Sequence, residues 1–162
     1  MESKQTIGTT FNIYFKPCVS VDENIPDNNK KVSDEKELQG NNSLVLVVED
    51  EDSVREFVEY ILKSKGYRVV SVSNGSDGFE AFLKYRNEIK ILIVDVIMPG
   101  MSGKELIDKV LEIEPKIKYL FMSGYTDDIL GKHGIVGSEI NIIQKPFDRA
   151  LFLSKIKNLT LQ

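Results

Sequence analysis

The chain has 162 residues, of which 41% are hydrophobic and 28% are charged, as expected for a soluble domain with an appendage. Its net charge at pH 7 is −4, which disfavours a nucleic-acid partner because phosphate backbones bind basic surfaces, although a local basic patch is compatible with it. The single cysteine excludes an intrachain disulfide and fits a cytoplasmic location, and no apolar run approaches the about 20 residues of a membrane-spanning helix.

The first 42 residues differ in pattern from the rest. In residues 1–17, Phe11, Ile13 and Phe15 alternate with other side chains, which is the period of a half-buried strand. Residues 18–42 are rich in Asp, Glu, Lys and Asn without a sustained apolar period, and this predicts a flexible linker. Residues 43–162 are predicted to form the compact domain.

Strands and helices alternate through residues 43–162. The strands are predicted at residues 44–48, 67–72, 90–95, 117–122 and 140–144. The first helix is predicted to begin at a cap formed by Asp52 or Ser53 and to end at Gly66. The remaining helices are predicted at residues 74–86, 103–113, 126–135 and 148–159.

This alternation predicts an α/β fold, a doubly wound parallel sheet of five strands with helices on both faces. The spacing of apolar residues puts Phe57 on the inner stripe of the first helix and Phe79, Phe82 and Leu83 on the inner face of the second. In open sheets of this kind the functional crevice lies beyond the carboxyl ends of the strands. The residues that directly follow each strand are therefore the candidates for a site.

Acidic residues follow two of these strands. Glu49 and Asp50 come after the first strand, and Asp95 ends the third. Two carboxylates at ~4 Å and an effective dielectric constant of ~20 repel each other by about 4 kcal/mol, so the cluster needs a cation. Oxygen ligands favour Mg²⁺ over a soft transition metal. Glu51 and Asp52 are interpreted as solvated loop residues.

A hydroxyl and an ammonium group follow the last two strands. Ser123 stands at the end of the fourth strand and Lys145 at the end of the fifth, in front of Pro146. Pro146 is predicted to follow a cis peptide bond, which would fix the direction of Lys145. Carboxylates, a metal ion, a hydroxyl and a cation in one crevice have the chemistry of a phosphoryl-transfer site.

Four motifs in this order closely resemble those of response-regulator receiver domains. They are Glu49-Asp50, the run from Ile91 to Gly103 around Asp95, Ser123-Gly124-Tyr125 and Lys145-Pro146-Phe147. The resemblance covers residues 44–159 and implies a flavodoxin-like sheet with strand order 2-1-3-4-5. It further implies a two-component phosphoacceptor that needs Mg²⁺, with Mn²⁺ as a substitute.

The resemblance implies a role for each matching residue. Asp95 is expected to accept the phosphoryl group, Lys145 to pair with it, and Ser123 to bind one of its oxygens. The implied metal ligands are Asp50, Glu49, Asp95 and the backbone carbonyl of Ile97.

Two positions depart from the usual receiver pattern. Glu49 replaces the commoner aspartate, which is expected to preserve the charge but to alter the geometry of bound water. Ile142 stands three residues before Lys145, where many receivers have Tyr or Phe. An aromatic rotamer switch is therefore in doubt, and the switch region is expected at Ser123 and from Tyr125 onward.

The resemblance implies the dimerisation and phosphotransfer domain of a histidine kinase as phosphodonor, and a histidine phosphotransfer protein as a candidate acceptor. Self-phosphorylation and slow autodephosphorylation are expected rather than conventional turnover. Two alternatives stay open. A metal-dependent α/β phosphatase or phosphotransferase would typically have a second aspartate at the position of Ile97. A pseudo-receiver that only binds proteins would not need Asp50, Asp95, Ser123 and Lys145 together.

Residues 7–17 resemble the last strand of a histidine-kinase ATP-binding domain, through a Gly-Thr-x-Phe-x-Ile-Tyr pattern that starts at Gly8. This resemblance implies that the chain is a piece of a hybrid histidine kinase with a receiver at its end. The single histidine, His133, follows a Gly-Lys pair and is interpreted as a surface residue rather than a phosphorylated one.

Overall fold

The computed structural model describes residues 2–4, 8–10, 40–124 and 141–161. The chain divides into two units, Met1–Ser33 and Asp34–Gln162. In the first unit, β1 (Glu2–Lys4) pairs antiparallel with β2 (Gly8–Thr10). Phe11, Ile13 and Phe15, which carry the predicted strand, lie outside the described residues, as does the predicted helix at residues 126–135.

The second unit alternates strands and helices as the sequence predicts. Its strands are β3 (Leu44–Val48), β4 (Arg68–Val72), β5 (Ile89–Asp95), β6 (Lys118–Ser123) and β7 (Ile142–Gln144). Its described helices are α1 (Asp52–Ser64), α2 (Gly75–Tyr85), α3 (Gly103–Ile113) and α4 (Arg149–Leu161). None of the helices in the described ranges has the length and apolarity needed to cross a membrane.

The five strands of this unit form one parallel sheet in the order β4-β3-β5-β6-β7. Counted from the first strand of the unit, this is the order 2-1-3-4-5, and it confirms the predicted flavodoxin-like topology. The order reverses between β3 and β5, so the carboxyl ends of these two neighbouring strands border the crevice where ligands bind in open α/β sheets.

Two apolar clusters cover the two faces of the sheet. On one face, α1 and α4 pack their buried residues, such as Ile61 and Phe152, against Val45 and Val47 of β3 and Ile91 and Ile93 of β5. On the other face, α2 and α3 contribute Phe82 and Leu106 and pack against the even-numbered positions of β3 and against Leu92 and Val94 of β5. Successive strand residues point to opposite faces, so the unbroken apolar run Leu44–Val48 serves both clusters and is buried throughout.

The exposure and the capping role of some helix side chains differ from the predictions. Leu83 is 46% exposed and Phe57 is 40% exposed, so their assignment to inner faces was wrong. Phe57 instead contacts the ring of Phe147 at the surface, with the ring centroids 6.3 Å apart. The predicted cap at Asp52 or Ser53 was also wrong, because Glu51 occupies the cap position of α1 and its side chain makes no capping hydrogen bond.

Residues 40–42, which precede the predicted domain start at Ser43, form backbone hydrogen bonds with the end of α1. The Gly40 N–H donates to the carbonyl of Lys65 at 2.7 Å, and the Asn42 N–H donates to the carbonyl of Gly66 at 3.0 Å. Gly66 adopts a φ of +79°, the left-handed conformation that glycine accepts at a helix end, as predicted for the end of α1. Residues 40–42 are thus tied to the end of α1 and to the start of β3.

Candidate phosphoryl-transfer site

The register of the sheet brings the predicted acidic residues together. In the parallel pair of β3 and β5, Val48 lies opposite Val94, so Glu49 follows β3 at the level of Asp95. Single ligand oxygens of Glu49, Asp50 and Asp95 all lie within 4.8 Å of one another. Asp95 is buried and Glu49 fully so, whereas Asp50 is exposed. The three carboxylates therefore form one cluster that is open to solvent at Asp50.

Lys145 reaches into this cluster from the end of β7. Its Nζ lies 2.7 Å from Oδ2 of Asp95 and 2.9 Å from Oε1 of Glu49, both in hydrogen-bond geometry. The same Nζ lies 2.7 Å from Oε2 of Glu49, but that contact is an ion pair without hydrogen-bond geometry. One ammonium group thus neutralises only part of the negative charge of two buried carboxylates.

The buried position of Glu49 changes its acidity. Burial raises the pKa of Glu49 to about 7, and the nearby charge of Asp95 adds to the rise, although the hydrogen bond and charge of Lys145 oppose it. For Lys145, burial acts to lower the pKa, but the hydrogen bonds and charges of Asp95 and Glu49 outweigh it and hold the pKa above its usual value. Even with Lys145 protonated, its single positive charge does not balance the carboxylates of the cluster.

The same residues fit a divalent metal ion. Oε2 of Glu49 is buried and accepts no hydrogen bond, and it belongs to a carboxylate whose ionised form is disfavoured by burial. Three carboxylates with an open side are the oxygen-ligand set of a hard cation that keeps several waters. A divalent ion would supply the positive charge that Lys145 alone does not provide.

Other predicted residues surround the cluster. Ser123 ends β6 and is buried, and its carbonyl accepts a hydrogen bond of 2.6 Å from the N–H of Lys145. The N–H of Ile97 donates to Oδ1 of Asp95 at 3.3 Å. The Lys145–Pro146 peptide bond is cis. Ile142 lies opposite Phe121 and is half-buried against the α2 and α3 side of the core, whereas Tyr125 lies outside the described residues.

Arg55 on α1 was not identified from the sequence as part of the site. Its Nη1 donates to the backbone carbonyl of Glu49 at 2.8 Å, and its Nη2 pairs with the carboxylate of Asp52. It therefore joins both ends of the loop that carries Glu49 and Asp50. A guanidinium with two separate donor arms suits this task, but no sequence pattern reveals a partner that is a backbone carbonyl.

Gly103 was expected only as the start of a helix. A Cβ at this position would lie 2.0 Å from the carbonyl oxygen of Asp95, so only glycine lets α3 approach this closely. The Gly103 N–H donates to the carbonyl of Val96 at 3.0 Å. The first turn of α3 thus supports the backbone that carries Asp95.

Comparisons with known proteins agree with this geometry. The sequence matches the model of the response regulator receiver domain family over residues 45–157. The sensor kinase CckA of Brucella abortus is 31% identical over 156 residues, which are 94% of this chain and 16% of that protein. The chemotaxis protein CheY of Treponema pallidum is 29% identical over 138 residues, which are 85% of this chain and 96% of that protein.

Solved structures give the same result. The receiver domain of the hybrid histidine kinase CckA is similar with a TM-score of 0.62 and 29% identity, covering 74% of this chain and 100% of that chain. Chemotaxis protein CheY4 of Vibrio cholerae has a TM-score of 0.64 and 25% identity, covering 72% and 98%. With the family match over residues 45–157 and the flavodoxin-like strand order, the chain belongs to the response regulator receiver domain family, the phosphoacceptor modules of two-component signalling.

Proposed function

We propose that Asp95 accepts a phosphoryl group from a phosphohistidine, in a reaction that requires Mg²⁺ held by Asp50, Glu49, Asp95 and the carbonyl of Ile97. The observation that carries this proposal is the contact of 2.7 Å between Nζ of Lys145 and Oδ2 of Asp95, beside two further carboxylates. An acceptor carboxylate flanked by a cation and a metal-ligand set is what the transfer of a group with negative charge on three oxygens needs.

The residues act by positioning and by neutralising charge. A carboxylate oxygen of Asp95 attacks phosphorus, a P–O bond forms, and the P–N bond to the donor imidazole breaks, with its electron pair returning to the ring. Lys145 leaves its contact with the acceptor oxygen and pairs with a phosphoryl oxygen, while the Ser123 hydroxyl donates to another. A bound metal ion would stabilise the negative charge on the phosphoryl oxygens. Water then attacks the acylphosphate slowly and restores the carboxylate of Asp95.

A mass measurement tests this function. With Mg²⁺ and acetyl phosphate, the intact mass should rise by one phosphoryl group, and EDTA or Asp95→Asn should abolish the rise. Asp108→Asn is the matched control, because Asp108 is an exposed carboxylate paired with Lys104 on α3. The control should form the adduct as the wild-type chain does.

Two other outcomes would replace the proposal. Steady release of phosphate from many unrelated esters, without an accumulated adduct, would favour the metal-dependent phosphatase. Absence of any adduct in the wild-type chain with Mg²⁺ would favour the pseudo-receiver, a domain that only binds proteins.

The phosphodonor is proposed to be the phosphohistidine of a histidine kinase joined to the same polypeptide. Support comes from the similarity to the sensor kinase CckA, which extends over 94% of this chain and thus beyond the receiver into the first 42 residues. The chain spans only 16% of that kinase, so the kinase activity itself belongs to the proposal. A histidine phosphotransfer protein is the proposed acceptor. Transfer of ³²P from phosphorylated receiver to such a protein tests this step.

A further inference from the structure

A cavity of about 590 Å³ opens at the end of the sheet opposite to Asp95. Its walls come from the starts of three strands, around Ser43 in front of β3, Ile89 in β5 and Ile117 in front of β6. Strand β5 runs from Ile89 to Asp95, a length of about 20 Å at the rise of a parallel strand. The cavity is therefore separate from the phosphoryl-transfer site.

The lining of the cavity is strongly basic in a chain that is acidic overall. Among its charged side chains are four cations, Arg86, Lys90, Lys116 and Lys118, and one anion, Glu114. The local charge of +3, four minus one, contrasts with the net charge of −4 of the whole chain. Such a concentration of cations around one concavity raises the local concentration of anions.

Most of these cations have no side-chain partner among the described residues. Elsewhere in the described ranges, basic side chains pair with carboxylates, as Lys63 does with Glu59 and Lys104 with Asp108. By contrast, within the part of the chain that the structure describes, the side chains of Arg86, Lys90 and Lys116 make no ion pair or hydrogen bond, and Lys118 reaches only a backbone carbonyl, that of Thr160, at 3.5 Å. The charges at the cavity are thus available to a ligand.

The cavity also offers an apolar wall and a neutral donor. The half-buried Ile117 forms this wall, and Ile89, Ile91 and Tyr67 lie behind it, almost completely buried. The Tyr67 hydroxyl is protonated at neutral pH and can donate a hydrogen bond, because its usual pKa of 10.0 is already far above 7 and burial raises that pKa further. The volume lies within the range of about 300–1,000 Å³ that small-molecule sites occupy and greatly exceeds what a phosphate ion fills.

We propose that this cavity binds a small organic phosphate, with the phosphates held by Arg86, Lys90, Lys116 and Lys118 and the organic body against Ile117. Several cations around one anion favour the doubly charged phosphate over a single carboxylate. The apolar wall favours an organic ester over inorganic phosphate. The site lies at the end of the sheet remote from Asp95, so it does not depend on the phosphoacceptor function.

Calorimetric titration with ATP in EDTA tests the proposal, because without a divalent ion the phosphoryl-transfer site does not attract phosphate. The double variant Lys90→Ala/Lys116→Ala should weaken the Kd by about tenfold or more, since each lost charge-assisted contact has a large effect. The matched control is Lys63→Ala/Lys104→Ala, which changes the net charge equally but removes lysines that are paired elsewhere on the surface. The control should leave the Kd unchanged. Thermal melting of both double variants checks that they fold.

Binding of ATP should also shift the amide resonances of residues 86–91 and 116–118 rather than those around Asp95. Four results would overturn the proposal. They are no binding by the wild-type chain, equal weakening in both double variants, shifts centred on Asp95, or equal affinity for ATP and citrate. Equal affinity for ATP and inorganic phosphate would overturn the assignment of an organic ligand. None of these results bears on phosphorylation of Asp95, which the mass measurement tests separately.

Discussion

Arg55 shows how a residue outside the acidic cluster can determine its geometry. Its guanidinium is largely covered, with 18% of the side chain exposed, and it holds the Glu49 carbonyl and the Asp52 carboxylate at the same time. The ion pair with Asp52 contributes little stability, because that carboxylate is 80% exposed and screened by solvent. The hydrogen bond to the Glu49 carbonyl matters more, since it fixes the backbone from which two metal-ligand candidates project.

We expect Arg55→Lys to weaken Mg²⁺ binding by about tenfold, as replacement of an outer-shell partner commonly does. The substitution keeps the positive charge, so the electrostatic repulsion of the metal ion is unchanged, but a single ammonium cannot replace both arms of the guanidinium. Calorimetric titration with Mg²⁺ in the absence of a phosphodonor measures the effect. Arg68→Lys is the control, because Arg68 pairs with Glu88 at an exposed position. An unchanged Mg²⁺ Kd in Arg55→Lys would assign Arg55 a purely structural role.

The sequence predicted which polar side chains would meet, but not all the contacts among them. Glu49, Asp95 and Lys145 could be predicted because each lies at the carboxyl end of a strand, and the ends of neighbouring parallel strands share one edge. The contact of Lys145 with both carboxylates depends on the longer reach of Glu49 and on burial, which a linear pattern does not contain. The roles of Arg55 and Gly103 depend on backbone atoms of other segments, so they required the folded structure.

At the scale of elements, the start of α3 is defined by a reciprocal cap. The Ser102 hydroxyl accepts from the Glu105 N–H at 3.3 Å, and the Glu105 carboxylate accepts from the Ser102 N–H at 2.9 Å. This reciprocal capping box satisfies two N–H groups that a helix start otherwise leaves unpaired. Because Gly103 brings the same turn against the Asp95 carbonyl, the box also supports the site.

The capping box should make part of the stability depend on pH. The hydrogen bonds from the backbone and side chain of Ser102 lower the pKa of Glu105 below its usual value of 4.5. Its contribution is therefore fully present above about pH 4.5 and is lost as the pH falls through the lower folded-state pKa. Urea unfolding between pH 3 and 7 should show that Glu105→Gln loses less stability on acidification than the wild-type chain.

A companion variant tests the other half of the box. Ser102→Ala should destabilise the domain by about 1 kcal/mol at pH 7, as loss of an N-cap does. Ser76→Ala is the control, because Ser76 lies exposed in the first turn of α2 without a capping bond. An equal effect of both serine variants, or parallel pH profiles of Glu105→Gln and wild-type, would show that the box does not stabilise α3.

The sequence predicted the positions of strands and helices more accurately than it predicted which side chains would be buried. The bounds of β3 and α3 agree with the prediction, and the other described elements of the domain shift by at most two residues. Apolar runs in strands and residues at helix ends are local features of the sequence, so they can be recognised without knowledge of the tertiary structure. Phe57 and Leu83 were misassigned because helix spacing gives a stripe wider than the sheet can cover, and residues at its margin become exposed.

At the scale of the whole molecule, the fold concentrates negative charge at one edge of the sheet and positive charge at the other. Glu49, Asp50 and Asp95 meet at the carboxyl ends of the strands, whereas Arg86, Lys90 and Lys116 surround the cavity at their amino ends. The acidic cluster raises the free energy of the metal-free domain, since Lys145 compensates only part of its charge. Binding of a divalent ion should therefore stabilise the folded chain as a whole.

We expect Mg²⁺ at about one hundred times its Kd to stabilise the folded state by about 2.7 kcal/mol, and to raise the Tm by about 10 °C for a domain of this size. Asp50→Asn should abolish this rise, because it removes the exposed carboxylate of the cluster. In EDTA the same variant should melt at or above the wild-type temperature, since one repulsive charge is gone. Calorimetry at constant ionic strength, with Asp108→Asn as the control, measures both effects. If Mg²⁺ raised the Tm of Asp50→Asn as much as that of the wild-type chain, the ion would bind somewhere other than this cluster.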